Sequence, residues 1–68
     1  MDNVNDNDHV YEVYFKFFDE EYGYNRSDLR LIGGYKNNDS HSQAESDMVK
    51  ILTKEGKKKI TIMRVAYL

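Results

Sequence analysis

The segment from His9 to Phe18 most constrains the fold, because alternation predicts a strand with apolar side chains on both faces. One face carries Tyr11, Val13, Phe15 and Phe17. The other carries Val10, Glu12, Tyr14, Lys16 and Phe18. A strand with apolar groups on both faces usually lies in the middle of its sheet. We therefore predict a central strand here, followed by a polar loop over residues 19–27.

A second strand is predicted over residues 28–36, again with alternating faces. One face carries Leu29, Leu31, Gly33 and Tyr35, and the other carries Arg30, Ile32, Gly34 and Lys36. The Gly33–Gly34 pair indicates a bulge or a close backbone approach, because glycine weakens a strand interior.

A helix is predicted from about Ser42 to Glu55. The pattern Ser-x-x-Glu at Ser42 and Glu45 is typical of a capping box, and Gly56 is a typical residue to end a helix. The β-branched segment over residues 60–68 predicts a third strand, in which the alternation slips near Met63, as at a bulge.

These elements predict an α+β fold of β-β-α-β order, with a three-stranded antiparallel sheet in spatial order 2-1-3 and one helix packed on one face. The domain would span residues 9–68. We expect residues 1–8, which are acidic and rich in asparagine, to form a flexible tail before it. We expect the helix to cover Tyr11, Val13, Phe15, Phe17, Leu29 and Leu31.

The other face of this sheet would keep apolar side chains that no element covers, which is typical of an interface. We therefore predict a protein-binding or dimer face. Its predicted residues are Tyr14, Phe18 and Ile32 on the strands and Tyr22, Tyr24 and Arg26 in the loop. Tyrosine and arginine on a glycine-containing loop are residues that binding sites favour.

A chain of 68 residues forms one domain with a thin core, and self-association would add stability. The absence of cysteine excludes disulfides and thiol nucleophiles. Two histidines, His9 and His41, are too few for a persuasive metal site, and no catalytic constellation is evident. We therefore expect no enzyme activity, no cofactor and no metal. We also expect no membrane partner, because no apolar run approaches the length of a membrane span.

Charge divides the chain into an acidic half and a basic half. Residues 1–28 carry eight acidic and two basic side chains, a charge of −6, whereas residues 29–68 carry four acidic and eight basic ones, a charge of +4. The net charge of −2 argues against duplex nucleic acid as the main partner. Such a bipolar protein suits another protein surface, and the two halves favour an antiparallel homodimer. Two copies could stack the uncovered faces of their sheets or pair their free edge strands, of which the third strand has only Arg64 as a guarding charge.

The abundance of asparagine, lysine and tyrosine is typical of AT-rich genomes, so the composition resembles that of low-GC bacteria and their phages. We expect a protein in the cytoplasm of a bacterial host, where it would inhibit a host enzyme or defence complex. The alternative is a single-strand nucleic-acid-binding protein that uses Lys54, Lys57, Lys58 and Lys59 together with exposed tyrosines.

Overall fold

A computed structural model describes residues 9–68. The elements are β1 (His9–Asp19), β2 (Tyr24–Tyr35), α1 (His41–Lys54) and β3 (Lys58–Tyr67). The strands form one antiparallel sheet in the order β2-β1-β3, and α1 packs on one face of it, which confirms the predicted fold. The predicted tail at residues 1–8 lies outside the described residues. In the described part, no helix is long and apolar enough to cross a membrane.

The core lies between α1 and the face of the sheet that it covers, called here the inner face. Tyr11, Val13 and Phe15 of β1 have no exposed surface. From the helix, Ala44, Met48 and Leu52 pack down with at most 1% exposed. The spacing of these helical residues places them on one side of α1, as the periodicity predicts. The predicted inward face of β1 is therefore confirmed.

The helix begins one residue before the predicted start, and the predicted capping box is wrong. The N-cap is Ser40, whose side chain makes no capping hydrogen bond. Its hydroxyl instead donates to the carbonyl oxygen of Asn37 at 3.1 Å. Because α1 already includes Ser42, this serine lies within the first turn and cannot cap it.

Gly56 ends the helix as predicted. Its φ of +90° is the left-handed conformation that glycine adopts without strain. The Gly56 amide donates to the Thr53 oxygen at 2.9 Å and the Lys57 amide donates to the Leu52 oxygen at 3.1 Å. This pair of bonds is a Schellman motif, and it turns the chain directly into β3.

The hairpin between β1 and β2 is longer than predicted. Residues 24–27, predicted as loop, continue β2, with Asn25 opposite Phe18 and Ser27 opposite Lys16. The connection shrinks to Glu20–Gly23 because the Gly23 amide donates to the Asp19 carbonyl oxygen at 2.7 Å. A φ of +76° at Gly23 allows this tight closure.

The predicted faces of β2 are wrong for its aliphatic residues. Opposite residues of paired strands share a face, and Ile32 lies opposite Tyr11. Ile32 therefore packs against the core, although we predicted it for the binding face. Leu29 and Leu31, predicted beneath the helix, point away from it and are 42% and 61% exposed.

Two features explain this assignment of faces. Arg30 can occupy the inner margin of the sheet because Glu55, just after α1, accepts two bonds from its guanidinium at 2.5 and 2.8 Å. The predicted bulge is present at Gly33–Gly34, and it brings Ile32 and Tyr35 to the same face although they are three residues apart.

A second predicted bulge is present in β3 at Met63. Tyr14 lies opposite Arg64, but the next residue, Phe15, lies opposite Ile62. Ile62 and Val65 both pack against the core. The extra residue between them leaves Met63 and Arg64 together on the side away from the helix.

Candidate protein-binding surfaces

The face of the sheet opposite α1, called here the outer face, is covered by no helix or strand of residues 9–68. Strand alternation and the register of the sheet define its members. They are Val10, Glu12, Tyr14, Lys16 and Phe18 of β1, Asn25, Ser27, Leu29 and Leu31 of β2, and Thr61, Met63, Arg64 and Ala66 of β3.

Aliphatic side chains form a band across the outer face. Leu29, Tyr14 and Arg64 lie side by side on the three strands, and the neighbouring row is Leu31, Glu12 and Ala66. Leu31 is 61% exposed and Met63 is 55% exposed. Leu68 extends the band, because its amide donates to the Val10 oxygen at 3.0 Å and its side chain is 58% exposed. Glu12 and Arg64 interrupt this band, and exposed apolar side chains bordered by charges are typical of an interaction site.

Charged side chains of both signs lie along the middle of this face. On β1, Glu12 and Lys16 flank Tyr14, and the Tyr14 hydroxyl donates to Glu12 Oε1 at 3.0 Å. This hydrogen bond to the carboxylate, with its negative charge, raises the pKa of Tyr14 above its ordinary value. The Glu12 carboxylate is therefore held along the strand at a defined position.

Two further cations rest on aromatic rings of the same face. The Arg64 guanidinium carbon lies 5.8 Å from the centre of the Tyr14 ring, and Lys59 Nζ lies 5.3 Å from the centre of the Phe18 ring. Both distances fit cation–π contacts. Tyr14 and Phe18 thus lie on the outer face as predicted, but both are half-buried.

Sequence reasoning missed the most exposed apolar residues of this face. Leu29 and Leu31 were assigned to the core, and Met63 was noted only for its bulge. A signal was present in the Gly33–Gly34 pair. If Tyr35 faces the helix, an extra residue at the Gly33–Gly34 bulge brings Ile32 to the same face as Tyr35. Leu31 then lies on the opposite face.

The hairpin tip, Asp19 to Arg26, forms a second exposed surface. The rings of Tyr22 and Tyr24 stack with centres 6.0 Å apart, and these residues are 59% and 55% exposed. The Arg26 guanidinium carbon lies 5.6 Å from the centre of the Tyr22 ring. Tyr24 and Arg26 lie opposite Asp19 and Phe17, so they share the inner side of the hairpin.

Asp19 organises this tip. Its carboxylate accepts bonds from the Glu21 amide at 2.9 Å, the Tyr22 amide at 3.3 Å and Arg26 Nη1 at 3.0 Å. The hydrogen bond from Arg26 is the largest cause that lowers the pKa of Asp19.

The six predicted binding residues lie in three different places. Tyr14 and Phe18 lie on the outer face, and Ile32 packs against the core. The hairpin tip contains Tyr22, Tyr24 and Arg26.

The predicted nucleic-acid residues are also divided. Lys57 Nζ lies 4.8 Å from the centre of the Phe17 ring and 3.6 Å from a Glu55 oxygen, on the inner side. Lys59 instead lies over Phe18 on the outer face. Lys54 belongs to the last turn of α1, where the helix dipole favours a cation.

Acidic groups surround the remaining lysine of this turn. A shallow cleft of about 270 Å³ is lined by three cations, Arg26, Lys57 and Lys58, together with four carboxylates. These carboxylates belong to Asp19, Glu20, Glu21 and Glu55. Phosphate groups would meet like charge here, which weakens the case for nucleic acid.

Both histidines belong to an aromatic cluster at the other end of the sheet. His9 Nδ1 lies 2.7 Å from the Tyr67 hydroxyl, and the His41 ring meets the Tyr11 ring edge-on with centres 4.9 Å apart. Among residues 9–68, no three side chains of histidine, cysteine, aspartate or glutamate are grouped to hold a metal ion.

Comparisons of the chain with protein-family models, curated proteins and solved structures found no match to any of them.

Proposed function

We propose that this protein is a small, non-enzymatic protein-binding module that forms a homodimer through the outer face of its sheet. One observation carries the proposal: Leu31, Met63 and Leu68 are 61%, 55% and 58% exposed within one band on this uncovered face. A solvated sheet face normally alternates to polar residues. Burial of these side chains against a second copy would remove apolar surface from water.

The outer face carries the cations Lys16, Lys59 and Arg64 and one carboxylate, Glu12, whose position favours a protein partner over a nucleic acid. Glu12 lies at its centre, between Leu31 and Ala66, where a phosphate chain that crosses the sheet would meet a negative charge. A protein surface can instead supply cations to Glu12 and carboxylates to Lys16, so both signs are satisfied.

The size of the outer face sets the expected affinity. Three strands about 4.8 Å apart, over the length from Val10 to Phe18, present roughly 400 Å² of projected area in each copy. This area is small compared with that of stable interfaces, which bury about 1,200–2,000 Å² in total. We therefore expect a weak dimer, with a dissociation constant in the micromolar range.

Sedimentation equilibrium over a range of concentrations tests the proposal. We expect the 8.1 kDa chain to approach twice its mass at high concentration. Leu31→Glu should give a monomer with unchanged helix content by circular dichroism, because it places a charge in the apolar band. Tyr14→Glu and Phe18→Glu should weaken the dimer in the same way.

The matched control is Val49→Glu, which places the same charge on the exposed side of α1. This variant should dimerise like the unmodified protein. A monomer at all concentrations contradicts the proposal, and so does a dimer that Leu31→Glu leaves intact. Tight, steeply salt-dependent binding of a single-stranded oligonucleotide, abolished by Lys58→Glu, would favour the nucleic-acid alternative instead.

A further inference from the structure

The central strand carries opposite charges at equal distances from one outer-face residue. Glu12 and Lys16 each lie two residues from Tyr14 on β1, which corresponds to about 6.6 Å along the strand. The Tyr14 hydroxyl holds the Glu12 carboxylate at 3.0 Å. Within residues 9–68, the ion pairs are Arg26–Asp19, Arg30–Glu55 and Lys57–Glu55, so neither Glu12 nor Lys16 is paired there.

Two arrangements about a two-fold axis stack one outer face on another with the strands of the two sheets aligned. A two-fold axis parallel to β1 would place Glu12 over Glu12 and Lys16 over Lys16 of the second copy, so like charges would meet. An axis perpendicular to β1 and through Tyr14 would place each Glu12 over Lys16 of the second copy. Opposite charges then meet twice in the same dimer.

We infer that the occupant of the outer face is a second copy of this chain, stacked with antiparallel β1 strands about a two-fold axis near Tyr14, so that Glu12 of each copy pairs with Lys16 of the other. This inference rests on the proposed function, which already names a second copy as the partner, and it adds the orientation of the two copies.

The dimensions of stacked sheets permit this pairing. Two sheets pack about 10 Å apart and rotated by about 30°. At about 6.6 Å from the axis, this rotation displaces the two β1 strands sideways by about 3 Å. The glutamate and lysine side chains are long enough to cross both separations.

The same axis brings the apolar band onto itself. Leu29 and Tyr14 share the row that contains the axis, and Met63 lies beside this row in the bulge of β3, so each packs near its own copy. Arg64 lies on this row too, at the β3 end, and would approach its own copy. Arg64→Gln would remove the repulsion between the two arginines and should tighten the dimer. The gain in affinity should be at most a few fold, because Arg64 is an exposed cation over the Tyr14 ring.

Charge exchange within one chain tests the orientation. Glu12→Lys and Lys16→Glu should each weaken the homodimer by about tenfold, because two attractive pairs become two repulsive ones. The double variant Glu12→Lys, Lys16→Glu should dimerise like the unmodified protein, because each introduced lysine faces the introduced glutamate of the other copy. In a mixture of the double variant with the unmodified protein, heterodimers would bring like charges together in this orientation, whereas β1 strands stacked in parallel would bring opposite charges together. Native mass spectrometry with one of the two proteins labelled with nitrogen-15 should therefore show fewer heterodimers than the statistical ratio.

The control mixture is the double variant Glu45→Lys, Lys50→Glu with the unmodified protein, which makes the same exchange of charges on exposed positions of α1. It should give the statistical ratio of homodimers to heterodimers. A protein that dimerises but forms heterodimers at or above the statistical ratio in the first mixture overturns this orientation and leaves the proposed function standing. A protein that never dimerises overturns both.

Discussion

The inner and outer faces of the sheet are made by alternate residues of the same strands, but they differ in how their apolar side chains are used. On the inner face, Tyr11, Val13 and Phe15 have no exposed surface. On the outer face, Leu31 and Met63 are more than half exposed. The inner residues therefore stabilise the fold, whereas the outer ones add apolar surface that the monomer does not bury. This difference is why we assign binding to the outer face.

The largest expected effect comes from the inner face of β1. Phe15→Ala should lower the free energy of unfolding by about 3–5 kcal/mol, because it leaves a cavity between Met48 and Leu52 and the sheet. A core this small supplies about as much stability in total, so the variant should unfold. Urea denaturation in dilute solution measures the effect, with Phe18→Ala on the outer face as the milder control. An unchanged unfolding midpoint for Phe15→Ala would contradict the assignment of the inner face.

Two neighbours on β2 separate the faces at the place where sequence reasoning was wrong. Ile32→Ala should cost about 2 kcal/mol, because Ile32 packs against the core. Leu31→Ala should change the stability of the monomer by less than about 0.5 kcal/mol, because its side chain is largely exposed. Thermal unfolding of both variants, at concentrations below those at which the dimer forms, tests this. The reverse order of effects would mean that β2 is turned over.

The smallest expected effect concerns the ion pair at the margin of the inner face. The hydrogen bonds from Arg30 lower the pKa of Glu55 below its ordinary value of 4.5. A carboxyl whose pKa is lower in the folded state stabilises the fold above its ordinary pKa. That stabilisation is lost as the pH falls through the folded pKa. The stability should therefore decline slightly between about pH 5 and pH 3.

Glu55→Gln should flatten this decline, as followed by urea unfolding at each pH. Because the pair is exposed, the difference is expected to be small. The same decline in the variant would assign the pH dependence to other carboxylates, of which Asp47 is one, since the hydrogen bond from the Tyr35 hydroxyl lowers its pKa.

The order of the elements, the central position of β1 and its buried face could be predicted because β1 alternates without interruption. Its inward residues are all apolar, so only one orientation buries them. The stop at Gly56 and the bulges at Gly33–Gly34 and Met63 were also predictable. Each of these features depends on a local pattern that few residue types satisfy.

The faces of β2 could not be predicted in the same way, because both carry aliphatic residues. Leu29 and Leu31 outnumber Ile32 on a simple count, but the structure places Arg30 beside Ile32 on the inner side. The Arg30 guanidinium there contacts Glu55, which is 25 residues further along the chain and which no local pattern of β2 reveals. The division of the predicted binding residues between faces follows from the same long-range register.

Concentration-dependent methyl NMR tests the central claim, that the outer face is the binding surface, most directly. On raising the concentration from low to high micromolar, the methyl signals of Leu29, Leu31 and Met63 should shift along a single binding curve. Those of Met48 and Leu52, on the buried side of α1, should stay in place. Shifts confined to the helix or the hairpin tip, or no shift at any concentration, would contradict the account.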